Sequence, residues 1–198
     1  MRPRDLAELF QASIRARQNV LTVSPPGCGK TAIGYQSIQA TKAHGFWLYP
    51  SIGDPTDAKG MPWLYTNGDG KCKADFVPFD ELASLYNALE AGELCVLVLD
   101  DLGQGTPATQ ASYMQLMDKL RGRCAVLAMT NDRTHRANVS GILEPIKSRF
   151  HTIVKFETSV QDWTEHLMDH FEEYGLDADT AGLGVAFLRH FRPELLHK

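Results

Sequence analysis

The fold of this chain follows from one segment, Ser24-Pro25-Pro26-Gly27-Cys28-Gly29-Lys30-Thr31. It comes after a run rich in β-branched residues, Asn19–Val23, and before Thr31–Ala43, which has the composition of a helix. A glycine-rich loop between a strand and a helix presents backbone amides to an anion at the positive end of the helix dipole. The segment is therefore predicted to bind the phosphates of a nucleotide, with the amides of Gly27–Gly29 lining the site.

Two side chains of this loop have distinct predicted roles. Lys30 is expected to contact the β- and γ-phosphates of ATP, and the Thr31 hydroxyl is expected to be a ligand of Mg²⁺. The consensus GxxxxGK[ST] begins with glycine, where this chain has Ser24, but a residue at the end of a strand needs no positive φ. The alternative is a Gly/Pro turn that only resembles a phosphate loop, and the strand-loop-helix context favours the phosphate site.

A second apolar run, Cys95–Leu99, ends in two acids, Asp100 and Asp101. Ligands of open α/β sheets bind at the carboxyl ends of the strands, so both carboxylates are predicted to lie at the nucleotide. Asp100 is expected to hold Mg²⁺ through water, and Asp101 to polarise the water that attacks the γ-phosphate. The alternative is that the two acids cap the following helix.

The composition excludes several classes of protein. No apolar run is long enough to span a bilayer, and the N-terminal MRPRDLAELF lacks the apolar core of a secretory signal, so we expect a cytoplasmic protein without membrane contact. The net charge of −4 provides no global basic field, which disfavours nucleic acid as a partner but leaves room for a small local site. Four widely spaced cysteines without metal-site spacing predict reduced thiols.

The remaining patterns alternate between strands and helices. Two continuous apolar runs, Leu94–Leu99 and Cys124–Met129, are separated by helical spacing over Ala108–Leu120. Unalternating runs of this kind are typical of parallel strands that are covered on both faces. We therefore predict an α/β fold, a P-loop NTPase core with a central parallel sheet flanked by helices. Further predicted strands are Phe46–Tyr49 and Ile153–Phe156, a further predicted helix is Phe79–Ala91, and the helix of the phosphate loop is predicted to close at His44-Gly45.

A hairpin is predicted inside this core. Two extended runs, Met61–Thr66 and Cys72–Val77, flank Asn67-Gly68-Asp69-Gly70, a sequence that tolerates the positive φ of a tight turn. Trp63 and Tyr65 on the first run either pack across the strands or contact a substrate, and packing is favoured.

The chain is predicted to have two parts. Residues 1–157 are expected to form the nucleotide-binding domain, with the hairpin inserted at about 54–78. From residue 158 to residue 198 only helical patterns follow, and these are expected to form a small helical lid.

Taken in order, these motifs resemble those of the AAA+ ATPases, and within them the MoxR-like branch and its dynein-related relatives of bacterial or phage type. The segment Leu99–Gln104 resembles the Walker B strand end of that branch. Ala128–Asp132 resembles its sensor 1 strand, in which Asn131 would orient the lytic water. Ile142–Phe150 resembles its arginine-finger segment, in which Arg149 would act in the active site of a neighbouring subunit. Other similar segments are Pro107–Gln110 in the helix after Walker B, Asp54–Pro62 at the entry to a helix-2 insert, and Val160–Trp163 and Phe191–Leu196 in the lid.

The chain departs from that branch in three places. Asp101 stands where the branch has glutamate, and its shorter side chain implies slow hydrolysis. Only Arg121–Arg123 connects the preceding helix to the sensor 1 strand, which leaves no room for an extra pore hairpin. The chain stops at Lys198, before a second lid arginine could occur, so we expect a lid that is truncated or lacks the sensor 2 residue.

Several residues have simpler alternatives. Asn131 alone could be a turn residue at a strand end, and Arg149 could be a surface cation or a partner of Glu144. The cluster Arg133, His135 and Arg136 is either a solvated loop or a contact to another subunit or to nucleic acid.

The resemblance implies an ATPase that assembles into a hexameric ring and uses ATP and Mg²⁺ to remodel a protein partner. By analogy with MoxR-like relatives, the first partner to consider is a protein with a von Willebrand A domain. The main alternative is an ATP-switched loader of a helicase or transposase that acts on DNA. A small-molecule kinase is disfavoured, because sensor 1 and finger segments would have no role in it.

Overall fold

The computed structural model describes residues 1–132, 141–173 and 175–191. The strands are β1 (Val20–Ser24), β2 (His44–Leu48), β3 (Met61–Thr66), β4 (Cys72–Val77), β5 (Cys95–Leu99), β6 (Ala125–Asn131) and β7 (Thr152–Lys155). The helices are α1 (Pro3–Ala16), α2 (Lys30–Thr41), α3 (Pro55–Lys59), α4 (Asp80–Glu90), α5 (Pro107–Leu120), α6 (Glu144–Lys147), α7 (Val160–His170) and α8 (Ala178–Phe191), with a 3-10 turn at Leu102–Gln104.

Five strands form one parallel sheet in the order β2-β5-β6-β1-β7. Strand β1, which leads into the glycine-rich loop, pairs with β6 on one side and β7 on the other. The register sets Ser24 at the end of β1 opposite Asn131 at the end of β6. The predicted α/β fold with a central parallel sheet flanked by helices is therefore confirmed.

Alternate residues of β5 point into two separate cores, because successive side chains of a strand point to opposite faces. Leu97 and Leu99 pack in a cluster with side chains of α4, α5 and α6. Val96 and Val98 pack in a second cluster with side chains of α1 and α2. Burial on both faces explains why this strand is continuously apolar in sequence.

The end of α2 differs from the prediction. The helix ends at Thr41, and Lys42 adopts a left-handed conformation (φ 56°) in which its amide bonds to the carbonyls of Gln39 and Ile38. His44 and Gly45 belong to β2, so the prediction that they close the helix was wrong. Gly45 packs closely there, since a Cβ on it would lie 3.0 Å from the Ile38 side chain.

Strands β3 and β4 form the predicted antiparallel hairpin, and every residue of both strands is exposed. Trp63 lies opposite Asp75, and the Tyr65 hydroxyl donates a hydrogen bond to the Asp75 carboxylate (2.5 Å). The hairpin is preceded by the short helix α3, which is capped by the Asp54 carboxylate and was not anticipated as a helix. The aromatic side chains of the hairpin are therefore solvated and have no core of their own.

Helices α7 and α8 pack against each other, and Arg189 Nη2 on α8 donates a hydrogen bond to Thr164 Oγ1 on α7 (3.1 Å). The division into a domain of 1–157 and a lid of 158–198 stays a prediction. The cluster of Arg133, His135 and Arg136 lies outside the described residues, as does the chain from residue 192 onward. Within the described ranges, no helix combines the length and the apolar character that crossing a membrane requires.

Candidate nucleotide-binding site

The glycine-rich loop connects the end of β1 to the start of α2. Gly27 and Gly29 both have φ of 80°, a left-handed conformation that side chains with a Cβ rarely adopt, which explains glycine at these two positions. Gly29 is the residue immediately before α2, so the loop amides lie at the positive end of the helix dipole. Ser24 is not among the residues with positive φ, in agreement with its place at the end of a strand.

The Lys30 side chain is buried, and its ammonium group has three acceptors around it. Nζ donates hydrogen bonds to Ser24 Oγ (2.9 Å), to the Pro25 carbonyl (3.2 Å) and to Asn131 Oδ1 (2.9 Å). Burial lowers the pKa of Lys30, while the nearby Cys28, Asp101 and Asp100 oppose that shift. The ammonium group is thus held at the loop by neutral acceptors, which an incoming phosphate can replace with a charged one.

The two acids after β5 lie at the same place as the loop. Thr31 Oγ1 donates a hydrogen bond to Asp100 Oδ2 (3.1 Å), and the Asp101 amide donates to Asp100 Oδ1 (3.1 Å). Asn131 Nδ2 donates to Asp101 Oδ1 (3.1 Å), so Asn131 connects Asp101 to Lys30. Residues from three different segments, predicted separately from the sequence, therefore form one hydrogen-bonded group.

The alternative that the acids cap a helix does not fit this geometry. Asp101 precedes the 3-10 turn with a left-handed φ of 55°, and its side chain makes no capping hydrogen bond. Helix α5 is capped instead by Thr106, whose Oγ1 accepts from the Thr109 amide (3.2 Å). Burial, with a further contribution from Asp100, raises the pKa of Asp101. A carboxylate with a raised pKa is a stronger base than an ordinary aspartate.

The residues at the site fit a magnesium ion. Thr31 and Asp100 bring a hydroxyl and a carboxylate oxygen within 3.1 Å of each other. Mg²⁺ binds oxygen ligands and usually takes only one or two from the protein, with water and phosphates completing its shell. Both residues are those predicted from the sequence as its ligands.

Arg149 lies away from this group. Its guanidinium donates to the Asp118 carboxylate through Nε (3.0 Å) and Nη2 (2.6 Å), and to the Pro145 carbonyl through Nη1 (2.5 Å). The alternative partner Glu144 was wrong, because Glu144 pairs with Lys147 at 2.6 Å. The Arg149 guanidinium keeps the pKa of Asp118 below its usual value, mainly through these hydrogen bonds.

The position of Arg149 relative to the loop follows from Asn19, a residue that the sequence analysis did not single out. Its amide group donates to the Arg149 carbonyl (3.0 Å) and accepts from the Val126 amide (3.1 Å). Asn19 precedes β1, whereas Ser24, which contacts Lys30, ends it. A strand of this length spans roughly 16 Å, so the Arg149 backbone and the Lys30 ammonium group lie near opposite ends of β1.

Neither Asn19 nor Asp118 had a signal in the sequence that marked it as a contact of Arg149. Asp118 is an exposed acid near the end of α5, and its partner is 31 residues away in sequence. Asn19 is a polar residue before an apolar strand, a position that is also common in turns. Only its burial, at 5% exposure, distinguishes it.

Comparison of the sequence with protein-family models and with curated proteins found no match. Solved structures do match. RuvB of Thermotoga maritima, a Holliday junction branch migration motor, is similar with a TM-score of 0.56 over 98% of this chain and 62% of that chain, at 13% identity. A DNA replication initiation factor is similar with a TM-score of 0.53 over 88% of this chain and 52% of that chain, also at 13% identity. The fold is that of the AAA+ P-loop ATPases.

At this identity the likeness concerns the AAA+ fold alone. The chain spans no more than 62% of the length of these two structures, so it corresponds to part of each. At the loop between β1 and α2, this chain brings together Lys30, Thr31, Asp100, Asp101 and Asn131.

Proposed function

We propose that this chain binds ATP with Mg²⁺ and hydrolyses it to ADP and phosphate. The observation that carries the proposal is the hydrogen-bonded group that joins Lys30, Asn131 and Asp101 in one site, with Asp100 and Thr31 beside it. Each residue is of the type that phosphoryl transfer to water requires, and all of them surround the loop at the end of β1.

The roles follow from the contacts. Lys30 exchanges its bonds to Ser24 and Asn131 for the β- and γ-phosphates, which frees Asn131 to orient a water molecule. Asp101 accepts a proton from that water as its oxygen attacks the γ-phosphorus, and the bond from phosphorus to the β-phosphate oxygen breaks. Thr31 and Asp100 would hold Mg²⁺, which supplies charge neutralisation between the phosphates.

We further propose that the chain assembles head to tail into a ring, in which Arg149 completes the site of a neighbour. An arginine near the opposite end of β1 from Lys30 cannot reach the nucleotide of its own subunit. Hexameric stoichiometry, a lid formed by residues 158–198 and the assignment to the MoxR-like branch belong to the same proposal. The exposed hairpin of β3 and β4 supports that branch, because it lies where the resemblance expects a helix-2 insert.

The favoured outcome of ATP turnover is the remodelling of a protein partner in the cytoplasm, with a von Willebrand A domain protein as the first candidate by analogy. A second candidate is action on DNA, which the names of both similar structures favour. The net charge of −4 favours the protein partner. An ATPase rate that rises on addition of DNA would favour the second candidate.

The binding claim is tested by calorimetry with ATP and Mg²⁺. Lys30→Ala removes a charge-assisted contact worth about 1.5–3 kcal/mol, so we expect affinity to fall at least about tenfold. Asp101→Asn is the matched control, because it leaves the loop intact and should retain ATP affinity while losing hydrolysis. Equal ATP affinity of Lys30→Ala and the native protein would refute the proposed site.

A further inference from the structure

An open cavity of about 490 Å³ lies next to the nucleotide site, between α2, β2 and the start of α4. Two residues of the cavity wall are connected to the nucleotide site. Tyr35 of its wall lies on α2, one turn after Thr31. Leu48 of its wall accepts a hydrogen bond from the Asp100 amide (3.1 Å). The cavity contains none of the residues that the proposed hydrolysis uses, so it is available to another ligand.

Aromatic rings form much of the cavity wall. Tyr35 and Trp47 are stacked, with ring centroids 4.0 Å apart and planes at 18°. Tyr49 and Phe79 complete the aromatic wall and are 43% and 37% exposed. Large aromatic side chains that stay accessible in a concave site are typical of the anchor pockets of protein interfaces.

The cavity also carries three carboxylates, Asp57, Asp80 and Glu81. In the part of the chain that the structure describes, none of the three forms an ion pair. Beside Gly53, another wall residue, lies the fully buried Tyr113, whose hydroxyl has no hydrogen-bond partner within the described residues. That hydroxyl is 3.4 Å from the position of a Cβ on Gly53. The wall thus carries three carboxylates that have no cationic side chain beside them within the described residues.

Carboxylates at helix starts also complement the helix dipoles, and Asp57, Asp80 and Glu81 all lie in the first turns of α3 or α4. That effect accounts for acids at these positions but not for the aromatic rings that surround them. Negative charge beside accessible ring faces attracts a cation by direct and by cation–π interaction, and repels phosphates. The cavity is therefore unsuited to a nucleotide or to nucleic acid.

We propose that this cavity binds an arginine or lysine side chain of a basic segment on a protein partner. The aliphatic stem of such a side chain packs on the rings while its charged end reaches the carboxylates. The identity of the partner as a protein rests on the proposed function, whereas binding in the cavity needs no ATP turnover. The partner is thereby defined by its chemistry: a basic segment, not an apolar or acidic one.

The test uses Trp47, which lies in the cavity wall, as a fluorescent reporter. Trp63→Phe and Trp163→Phe remove the other two tryptophans of the chain. The probe is a short Gly/Ser peptide that carries two arginines, and the matched control is the same peptide with neutral citrulline in place of arginine. We expect a saturable change in Trp47 fluorescence with the arginine peptide and at least about tenfold weaker binding of the citrulline peptide.

Three further variants locate the binding. Glu81→Gln should weaken the arginine peptide about tenfold, while Glu172→Gln on the α7–α8 side should leave its affinity unchanged. Tyr49→Leu keeps an apolar side chain but removes the ring face, so it should also weaken the peptide. Thermal unfolding of Glu81→Gln shows whether the variant is folded, and Tyr49→Leu tests the cavity independently if it is not.

The outcomes separate this proposal from the proposed function. Citrulline peptide that binds as tightly as arginine peptide, spermidine that binds more tightly than the peptide, or no saturable signal would each overturn it. Glu81→Gln should hydrolyse ATP at the native rate without peptide. If the chain binds the peptide but does not hydrolyse ATP, the cavity assignment holds and the proposed function is wrong. If it hydrolyses ATP but does not bind the peptide, the proposed function holds and the cavity assignment is wrong.

Discussion

Replacement of Arg149 by alanine separates a role in a neighbour's active site from a structural role. The variant loses the paired hydrogen bonds to Asp118, whose side chain is 44% exposed, and such a pair is worth about 1 kcal/mol. Domains have about 5–15 kcal/mol of stability, so almost all of the protein stays folded. A finger that stabilises the transition state contributes roughly 10³–10⁵ in rate. We therefore expect normal ATP affinity and a loss of hydrolysis far larger than unfolding can explain.

Asp118→Ala is the matched control, because it breaks the same ion pair but keeps the guanidinium. Its ATPase rate should stay within about a factor of 5 of the native rate, the equivalent of about 1 kcal/mol. The hydrogen bonds from Arg149 lower the pKa of Asp118, so the pair stabilises the fold above the ordinary pKa of 3.8 and loses that effect as pH falls through the lowered value. At neutral pH the contribution of the pair is complete, and the comparison is valid.

Mixing Arg149→Ala with Lys30→Ala tests whether the arginine acts across an interface. In a random equal mixture, about one quarter of head-to-tail interfaces combine a native loop with a native finger, so about one quarter of the native rate should return. Steady-state phosphate release measures the rate, and sedimentation shows whether mixed assemblies form. Mixed assemblies without recovered activity, or an Asp118→Ala variant as slow as Arg149→Ala, would show the finger assignment to be wrong.

Three further predictions concern the site and its support. Asp101→Asn should bind ATP without hydrolysing it, and Asp101→Glu should hydrolyse faster than the native chain if the short side chain limits water activation; single-turnover assays distinguish these outcomes. Alkylation of the folded protein should modify Cys28 and be slowed there by ATP with Mg²⁺, while Cys124, whose pKa burial raises to about 12, reacts only after unfolding. Asn19→Ala should lower the free energy of unfolding by about 1–3 kcal/mol, because it leaves a buried amide without its acceptor, and the exposed neighbour Gln18→Ala should change it little; chemical denaturation measures both.

The sheet and the loop could be predicted because their signals are local. The apolar run Cys95–Leu99 predicts a strand buried on both faces, and the glycine-rich segment predicts a loop between a strand and a helix, in which Gly27 and Gly29 adopt left-handed backbone. The carboxyl ends of parallel strands lie on the same side of a sheet, so the sequence predicts that Asp101 and Asn131 share that side; their contact follows from the pairing of β5 with β6.

The contacts of Arg149 could not be predicted, because they depend on how distant segments meet. The sequence analysis offered a pair with Glu144 as one alternative for Arg149, but Glu144 pairs with Lys147 instead. Asp118 becomes available only once α5 packs beside α6. The end of α2 was mispredicted for a related reason. A glycine after a helical pattern indicates a helix end in sequence, but Gly45 lies in β2, where it packs against Ile38.

Asn19 immediately precedes strand β1 and Ser24 ends it; Asn19 bonds to the Arg149 carbonyl and Ser24 to the Lys30 ammonium group. In the proposed head-to-tail assembly, one end of this strand would lie at the subunit's own nucleotide site. The other end would lie beside the arginine that reaches the nucleotide site of the neighbouring subunit. Because β1 is hydrogen-bonded to a neighbouring strand on each side, the distance between the loop and the Arg149 backbone is fixed within one subunit. Two neighbouring nucleotide sites in such an assembly would therefore be separated by a spacing that the length of this strand helps to set.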